Sequence, residues 1–382
     1  MNERAMKDIN SNKFTDETKL KLDIFKKCFR EWFPVFLNDR FTKSVFIYDL
    51  FAGSGTDSEG NFGSPLWFLS EARGEGNKYC EQICSGNTPH IIFAFNELVR
   101  KKEETLKQNV DLFFGGCKKQ CSLNCTLKNN VHFKSDPFKE IASNDRFKRI
   151  LGNKKYAKFI ILDQYGVKQI TEPIFKELIN SPKTDFIFFI ASSVIKRFSK
   201  HKAIKKYFNE NKINFDKTKP NECHKQIAQY YRSLVPQDKE YYIHQFTIKK
   251  GANYYGLIFG TGHTLGMEKF LRVCWEEDKL AGESNCNVDN DFLPGSLFYN
   301  PESSNKINEI KKILVKEILS GGITDNITGM KYALRHGCQP KVFVDVIQEL
   351  IKKGKVRIEQ GYKFNKRATN IHKIEVYRFI KV

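Results

Sequence analysis

The sequence predicts an α/β fold built on a mixed sheet of about seven strands, followed by a smaller, mostly helical domain. Five short apolar runs alternate with amphipathic stretches of helix length, which indicates parallel strands joined by helical crossovers. Two further β-rich runs, separated by four residues typical of a turn, predict a closing antiparallel hairpin. The remaining C-terminal residues show mainly helical periodicity.

The predicted elements begin with an amphipathic helix over 18–36, where Leu22, Phe25, Phe29 and Trp32 recur near helical spacing. The parallel strands are predicted over 44–49, 90–96, 131–133, 158–163 and 185–191. Helices are predicted over 98–113, 138–142 and 172–180. The hairpin strands cover 241–249 and 254–261, and a helix over 267–276 follows them.

Residues 278–304 are rich in Asn, Gly, Pro and Ser and lack periodicity, which predicts a connecting segment. Beyond it, helices are predicted over 307–319, 328–336 and 340–352, and strands over 355–359 and 373–380. Three helices and a two-stranded wing form the layout of a winged helix-turn-helix. We therefore predict an α/β domain over 1–290, a linker over 291–303 and a winged helix-turn-helix over 304–382.

Composition excludes several classes of protein. Hydrophobic residues make up 40% of the 382 residues, which supports a buried core and excludes disorder for the bulk of the chain. No apolar stretch reaches the ~18 uncharged residues of a membrane-spanning helix, and the polar start resembles no secretory signal. Ten cysteines without such a signal predict a reducing, cytoplasmic location. The net charge of +20 favours a polyanionic partner such as nucleic acid.

A glycine turn follows the first strand, in the run Asp49-Leu-Phe-Ala-Gly-Ser-Gly55. Gly53 and Gly55 lack Cβ, so the backbone can turn sharply and a ligand can approach the amides that open the next helix. A dinucleotide fingerprint would have a third glycine at Ser58, and a P-loop would continue with Gly-Lys-Ser/Thr; neither is present. Such a turn can also be purely structural.

Carboxylates follow three of the other strands. Glu97 ends the second strand, Asp136 follows the third and Asp163 ends the fourth. Each could bind a ligand or have a structural role. Glu97 could be a solvated acid near a helix N-terminus, and Asp136 could be a helix N-cap. Asp163 ends a very apolar strand at the edge where α/β sheets bind ligands, which favours a role in a site.

The run 49–55 resembles the first motif of class I S-adenosylmethionine (SAM) dependent methyltransferases, especially those acting on amino groups of nucleic-acid bases. The resemblance implies a Rossmann-like class I methyltransferase fold and SAM as cofactor. It also implies that Glu97 holds the ribose hydroxyls and that Asp136 lies near the adenine. The implied cofactor-binding residues are Asp49, Phe51, Ala52, Gly53, Gly55, Glu97 and Asp136.

The run Asp163-Gln164-Tyr165-Gly166 stands where base methyltransferases carry Asp/Asn-Pro-Pro-Tyr. The resemblance implies that Asp163 orients the acceptor amine and that Tyr165 stacks on an extruded base. Gln164 replaces the proline of that motif, so a pre-set turn becomes a freer one. Base specificity and catalysis itself therefore stay open.

Nearly the whole chain is similar to the three-Cys-motif partner (TcmP) proteins, a bacterial family in which a methyltransferase-like domain precedes a winged helix-turn-helix. The distinctive parts are residues 49–55, 163–166 and 261–267. The resemblance implies a neighbouring three-Cys-motif protein as a partner.

Basic residues suggest where a substrate would bind. Residues 186–209 contain no acid, and Lys196, Arg197 and Lys200 follow the fifth strand near the presumed ligand edge, where a phosphate backbone could dock. Residues 301–382 hold 17 Lys and Arg against 8 Asp and Glu. Charge runs are also common on solvated faces. His263, just after the last strand, is either a substrate contact or a capping residue.

The cysteines form two groups, each directly before a strand. If the second and third strands are neighbours, the groups meet at the edge opposite the glycine turn and could bind a structural zinc. Buried or free thiols are the alternative. The candidate ligands are Cys80, Cys84, Cys117, Cys121 and Cys125.

Taken together, these features predict a SAM-dependent methyltransferase acting on an amino group of a nucleic-acid base. The alternative is a catalytically degenerate module that senses SAM, binds nucleic acid or a partner, and works with a three-Cys-motif protein. No membrane association is expected.

Overall fold

The computed structural model describes residues 12–116, 125–164, 170–197, 222–288, 290–293, 295–300 and 304–382. These residues form a seven-stranded sheet covered by helices and a second sheet of two strands. No helix in these ranges is long and apolar enough to cross a membrane.

The elements of the large sheet and its helices precede residue 278. The strands are β1 (Ser44–Asp49), β2 (His90–Asn96), β3 (Val131–Lys134), β4 (Tyr156–Leu162), β5 (Thr184–Ile190), β6 (Tyr242–Lys250) and β7 (Asn253–Thr261). The helices are α1 (Asp16–Leu37), α2 (Ser64–Arg73), α3 (Lys78–Cys84), α4 (Arg100–Gly115), α5 (Thr126–Asn129), α6 (Phe138–Ser143), α7 (Asp145–Gly152), α8 (Glu172–Asn180), α9 (Ser192–Arg197), α10 (Cys223–Ser233) and α11 (Thr264–Glu277).

A second group of elements follows residue 304. It consists of α12 (Asn305–Leu319), α13 (Asn326–Arg335), α14 (Lys341–Lys352), β8 (Val356–Ile358), a 3-10 turn (Ile371–Lys373) and β9 (Phe379–Lys381).

The strand order of the large sheet is β3-β2-β1-β4-β5-β7-β6. Strands β1 to β5 are parallel to one another, whereas β7 is antiparallel to both β5 and β6. The predicted mixed sheet of seven strands with a closing antiparallel hairpin is therefore confirmed. This order is that of the Rossmann-like class I methyltransferase fold.

The central strands are apolar throughout because both faces of the sheet are covered. All six residues of β1 are buried. Val45 and Ile47 pack on the side of α1, α2 and α11, whereas Phe46 and Tyr48 pack on the side of α6 to α8. The first of these two cores continues into α12, α13 and α14.

The predicted strand over 373–380 is too long. The structure forms a 3-10 turn at Ile371–Lys373, and β9 begins at Phe379. Two carboxylate oxygens of Glu268, on α11, accept hydrogen bonds from the backbone amides of Asn370 (2.9 Å) and Ile371 (3.1 Å). Within the predicted strand, the amide of Tyr377 donates to Asn326 Oδ1 at 2.8 Å and the carbonyl of Glu375 accepts from Asn326 Nδ2 at 3.0 Å, so these backbone groups bond to the first residue of α13 instead of to a strand.

The C-terminal elements are held to the large sheet by polar contacts as well as by the shared core. Trp275 Nε1 donates to the carbonyl of Gly337 at 3.0 Å. The ammonium of Lys306 lies 2.8 Å from Glu283 and is nearly inaccessible to solvent. Because unpaired buried charges are costly, this ion pair specifies how the two parts of the chain meet.

The contact of Glu268 with the 3-10 turn can be tested with Glu268→Ala. We expect the amides of Asn370 and Ile371 to exchange with deuterium much faster, and the free energy of unfolding to fall by about 1–3 kcal/mol, because buried donors lose their acceptor. Glu276→Ala, an exposed position on the same helix, is the matched control. Equal exchange in the two variants would contradict the assignment.

Candidate functional site

The glycine turn lies at the carboxyl end of β1, between β2 and β4. Gly53 and Gly55 have φ values of 62° and 82°, which side chains other than glycine rarely adopt. A Cβ at Gly55 would lie 2.7 Å from Leu106 Cδ1. The amide of Ala52 donates to the carbonyl of Asn96 at 2.9 Å, which ties the turn to β2. Both glycines are thus required by backbone conformation, and Gly55 also by close packing.

Asp49 is fully buried beneath this turn. Its carboxylate accepts hydrogen bonds from Ser64 Oγ at 2.5 Å and from the amide of Phe51 at 3.3 Å. Burial raises the pKa of Asp49 to about 7, against the Ser64 hydrogen bond, and the nearby Asp163 carboxylate acts in the same direction as burial. Asp49 is therefore an internal group that joins β1 to the start of α2.

The helix that follows the glycine turn, α2, begins at Ser64. The intervening loop is organised by Asp57, which accepts hydrogen bonds from the amides of Phe14 (2.8 Å), Glu59 (2.9 Å) and Asn61 (2.9 Å). Burial alone would raise the pKa of Asp57, but these hydrogen bonds lower it to about 2. The turn and the helix start are separate, although the amide of Gly63 donates to the carbonyl of Gly55 at 2.7 Å.

Glu97 lies beside the turn at the end of β2. One carboxylate oxygen accepts from the amide of Gly53 and the other from the amide of Val99, both at 3.0 Å. The side chain is partly exposed, and each carboxylate oxygen has a second lone pair. Glu97 can therefore accept hydrogen bonds from a vicinal diol while it stays anchored to the turn.

Asn96 is an organising residue of the site that sequence reasoning missed. Its buried side-chain amide donates to the carbonyls of Leu50 (3.3 Å) and Asp136 (3.0 Å), and its Oδ1 accepts from the amide of Asp136 at 3.0 Å. The ends of β1, β2 and β3 are thus joined by one side chain. The only available signal was a polar residue ending an apolar strand, directly before Glu97.

Asp136 does not cap α6, because the N-cap position is Pro137 and has no side-chain hydrogen bond. Its side chain is 46% exposed and lies 3.7 Å from Lys134 Nζ. The two aromatic and aliphatic residues of the turn are less accessible: Phe51 packs against Phe138, with ring centroids 5.5 Å apart, and Ala52 is buried.

Asp163 follows the last residue of β4 and forms an ion pair with Lys21 of α1. The two side chains are 18% and 14% exposed, and Lys21 Nζ lies 4.8 Å from the ring centroid of Phe189. Gln164 is buried, whereas Tyr165 lies outside the described residues. The carboxylate that was predicted to face a substrate therefore already has an ammonium partner from the same chain.

The predicted substrate contacts do not all lie at this edge. Lys196 and Arg197 end α9, which follows the carboxyl end of β5, and Arg197 Nη2 lies 3.4 Å from Asn253 Oδ1. His263 lies at the opposite edge, because Thr261 pairs with Asp185 at the start of β5. His263 caps α11 through its Nδ1, which accepts from the amide of Leu265 at 3.1 Å. Lys200 lies outside the described residues.

The described members of the two cysteine groups lie on neighbouring segments. Cys80 and Cys84 are on α3, Cys125 precedes α5, and Thr126 Oγ1 is 3.9 Å from Cys84 Sγ. Within the described ranges, no three His, Cys, Asp or Glu side chains are arranged to hold a metal ion. Cys117 and Cys121 lie outside those ranges.

Two small cavities lie within the packed layers rather than at the glycine turn. One is lined by residues such as Leu50, Phe138 and Leu178, and the other by residues such as Trp32 and Phe270. The candidate site is therefore defined by the polar groups at the carboxyl edge.

No protein-family model matches the chain, and no curated protein sequence does. Similar solved structures include Trm1 from Pyrococcus horikoshii in complex with SAM, with a TM-score of 0.33 and 12% identity over 68% of this chain and 59% of that chain. The chain thus spans about 59% of the length of that protein.

Two others are TrmK from M. capricolum in complex with S-adenosylhomocysteine and the precorrin-6y C5,15-methyltransferase of Geobacter metallireducens GS-15. The first has a TM-score of 0.27 and 14% identity, covering 87% of this chain and 96% of that chain. The second has a TM-score of 0.32 and 9% identity, covering 66% of this chain and 95% of that chain. These TM-scores are low. The assignment of the fold therefore rests on the strand order of the chain itself.

The raised pKa of Asp49 predicts a pH dependence of stability. Between pH 3.8 and about 7 the folded state keeps a proton that the unfolded chain has lost. The free energy of unfolding therefore falls as pH rises through this window, by at most about 1.4 kcal/mol per pH unit, and then levels off. Asp49→Asn removes this dependence. The melting temperature of the variant minus that of the wild type should therefore increase as pH rises.

Ser64→Ala is the complementary variant for thermal unfolding measured across the same pH range. Without the hydroxyl donor the pKa of Asp49 rises further, and the decline should extend to higher pH. Parallel stability curves for the wild type and Asp49→Asn would show that burial does not raise this pKa.

Proposed function

We propose that the chain is a SAM-dependent methyltransferase that acts on an amino group of a nucleic-acid base. The observation that carries this proposal is the placement of Glu97 and Asp163 on either side of the glycine turn, at the carboxyl edge of a sheet with the class I strand order. Ligands of open α/β sheets bind at this edge, where the strand order reverses.

The residues present suit SAM in their hydrogen-bonding chemistry. Glu97 has acceptor capacity for the ribose hydroxyls and is fixed by the Gly53 amide. The partly exposed Asp136 carboxylate can accept from an adenine amino group. When bound, SAM supplies an electrophilic methyl group. Asp49 would act indirectly, by holding β1 and α2 together beneath the turn.

In this proposal Asp163 orients the acceptor. Its carboxylate would accept an N–H from the exocyclic amine, so that the nitrogen lone pair is directed at the methyl group. Tyr165 is proposed to stack on the base. Lys21 donates to Asp163 Oδ2, so an acceptor amine would either use the remaining lone pairs of the carboxylate or replace the Lys21 ammonium.

We also propose that residues 304–382 form a winged helix-turn-helix and that the chain is related to the three-Cys-motif partner family. The domains would be 1–290 and 304–382, joined by 291–303. Three helices followed by the antiparallel pair β8 and β9 support this assignment. A three-Cys-motif protein is then a candidate partner, and the cytoplasm the proposed location.

The second candidate function is a SAM-sensing or partner-binding module without transferase activity. It is favoured by Gln164, which replaces the proline of the base-methyltransferase motif, and by the Lys21–Asp163 ion pair. In such a module the Asp163 carboxylate would serve as the internal partner of Lys21 instead of orienting an acceptor.

Asp163→Ala separates the two functions. For the enzyme, we expect transfer of labelled methyl from SAM to total DNA or RNA to fall by about 100-fold or more, while calorimetry gives a SAM affinity within about twofold of the wild type. Asp145→Ala, on the outer helix α7, is the control. Wild-type protein that binds SAM but methylates neither nucleic acid would favour the module instead.

Lys21→Met tests whether the ammonium competes with the acceptor. Removing it leaves the Asp163 carboxylate without its counter-ion, so an amino donor should bind more favourably, and the acceptor KM should fall by about tenfold. Lys26→Met is the control on the same helix, where the ammonium instead lies 3.8 Å from the Trp67 ring centroid. A lower kcat with unchanged KM would mean that Lys21 positions Asp163.

A further inference from the structure

Residues 353–382 carry nine Lys and Arg side chains and two Glu. All nine cations are exposed, and we call this set the basic ribbon: Lys353, Lys355, Arg357, Lys363, Lys366, Arg367, Lys373, Arg378 and Lys381. Lys353 is paired with Glu349. The other eight have no ion-pair partner in the part of the chain that the structure describes.

The pairing of β8 with β9 places part of the basic ribbon on one face. Arg357 lies opposite Ile380, and Val356 lies opposite Lys381. Because side chains alternate along a strand, Lys355, Arg357 and Arg378 share the outward face, while Val356 and Phe379 are buried on the other. Their charges are therefore directed to solvent together.

The loop between the two strands adds Lys363, Lys366 and Arg367. The part of the loop that leads to β9 is held by two contacts. Glu268 accepts hydrogen bonds from the amides of Asn370 and Ile371, and the ring centroid of His372 lies 4.8 Å from that of His263. These loop cations are consequently presented from a segment anchored at both ends. Binding to an anchored segment costs less conformational entropy than binding to a loose tail.

Helix α14 has no comparable excess of positive charge. In a helix-turn-helix this would be the helix that enters a groove, but its charged residues are Lys341, Asp345, Glu349 and Lys352, two of each sign. Six of its apolar residues are buried against the rest of the unit. Electrostatic attraction to phosphates must therefore come from elsewhere in the C-terminal elements.

We propose that the basic ribbon, and not the exposed face of α14, binds the sugar-phosphate backbone of nucleic acid. This inference rests on the proposed function, since it takes nucleic acid as the acceptor. The cations follow an extended two-stranded segment and its loop, and the exposed ring of Tyr362 among them can stack on a base. A membrane-surface site would instead call for an amphipathic helix with a broad exposed apolar face.

The test compares two full-length variants that reverse the same charge. Lys363→Glu/Lys366→Glu alters the basic ribbon, and Lys312→Glu/Lys316→Glu alters exposed positions of α12. Fluorescence anisotropy with a short labelled DNA duplex, and with RNA of the same sequence, gives Kd over a series of salt concentrations. We expect the ribbon variant to weaken binding about tenfold and to reduce the slope of log K against log salt by about two. The α12 variant should bind like the wild type.

The outcomes separate this inference from the proposed function, because binding is measured without SAM. Equal weakening by both variants would overturn the ribbon site and leave nucleic-acid binding intact. A wild-type protein that binds neither probe would remove both the ribbon site and the nucleic-acid substrate, whatever its SAM affinity. Binding to phosphatidylserine vesicles that is lost in the ribbon variant, without nucleic-acid binding, would make the surface a membrane site.

Discussion

The arrangement of the candidate site depends on the reversal of strand order on either side of β1. The chain moves from β1 to β2 and β3 on one side, then crosses to β4 and β5 on the other. The connections leaving β1 and β4 therefore diverge, and a crevice is left above their carboxyl ends. Gly53, Glu97 and Asp163 are far apart in sequence, and this topology alone brings their strand ends to one edge.

A second constraint is the packing of the C-terminal elements against β6 and α11. Glu283 is paired with both Lys306 and Lys225, at 2.8 and 2.9 Å, and it is nearly inaccessible to solvent. Those cations lower the pKa of Glu283 strongly, although its burial acts in the opposite direction. Because removing one member would leave a buried charge unpaired, the cluster disfavours other ways of docking the two parts. The orientation of the basic ribbon relative to the large sheet follows from this contact.

The fold could be predicted from the sequence because strands buried on both faces are continuous apolar runs, and β1 and β2 have the predicted bounds. Elements whose bounds depend on contacts with residues far away in the sequence could not be predicted in this way. The strand predicted over 373–380 is shorter because Asn326, about fifty residues earlier, bonds to the carbonyl of Glu375 and the amide of Tyr377. The Lys21–Asp163 pair joins residues 142 positions apart, and no local pattern indicates it. Of the two roles considered for His263, the structure shows the cap on α11, at the edge where the antiparallel strand β7 ends.

The candidate site and the basic ribbon carry charges of opposite sign, which would suit different parts of one nucleic-acid ligand. The carboxyl edge holds Glu97, Asp136 and Asp163, with Lys21 beside Asp163 and with Lys196 and Arg197 beyond β5, and the acids nearest the glycine turn repel phosphates. A polyanionic acceptor could approach this edge only if cations elsewhere offset that repulsion. Surface charges act over about 8 Å at physiological salt, so the offset must come from groups contacting the same polymer at other points. An acidic site for a base amine and a separate basic surface for the backbone would together suit the proposed nucleic-acid acceptor.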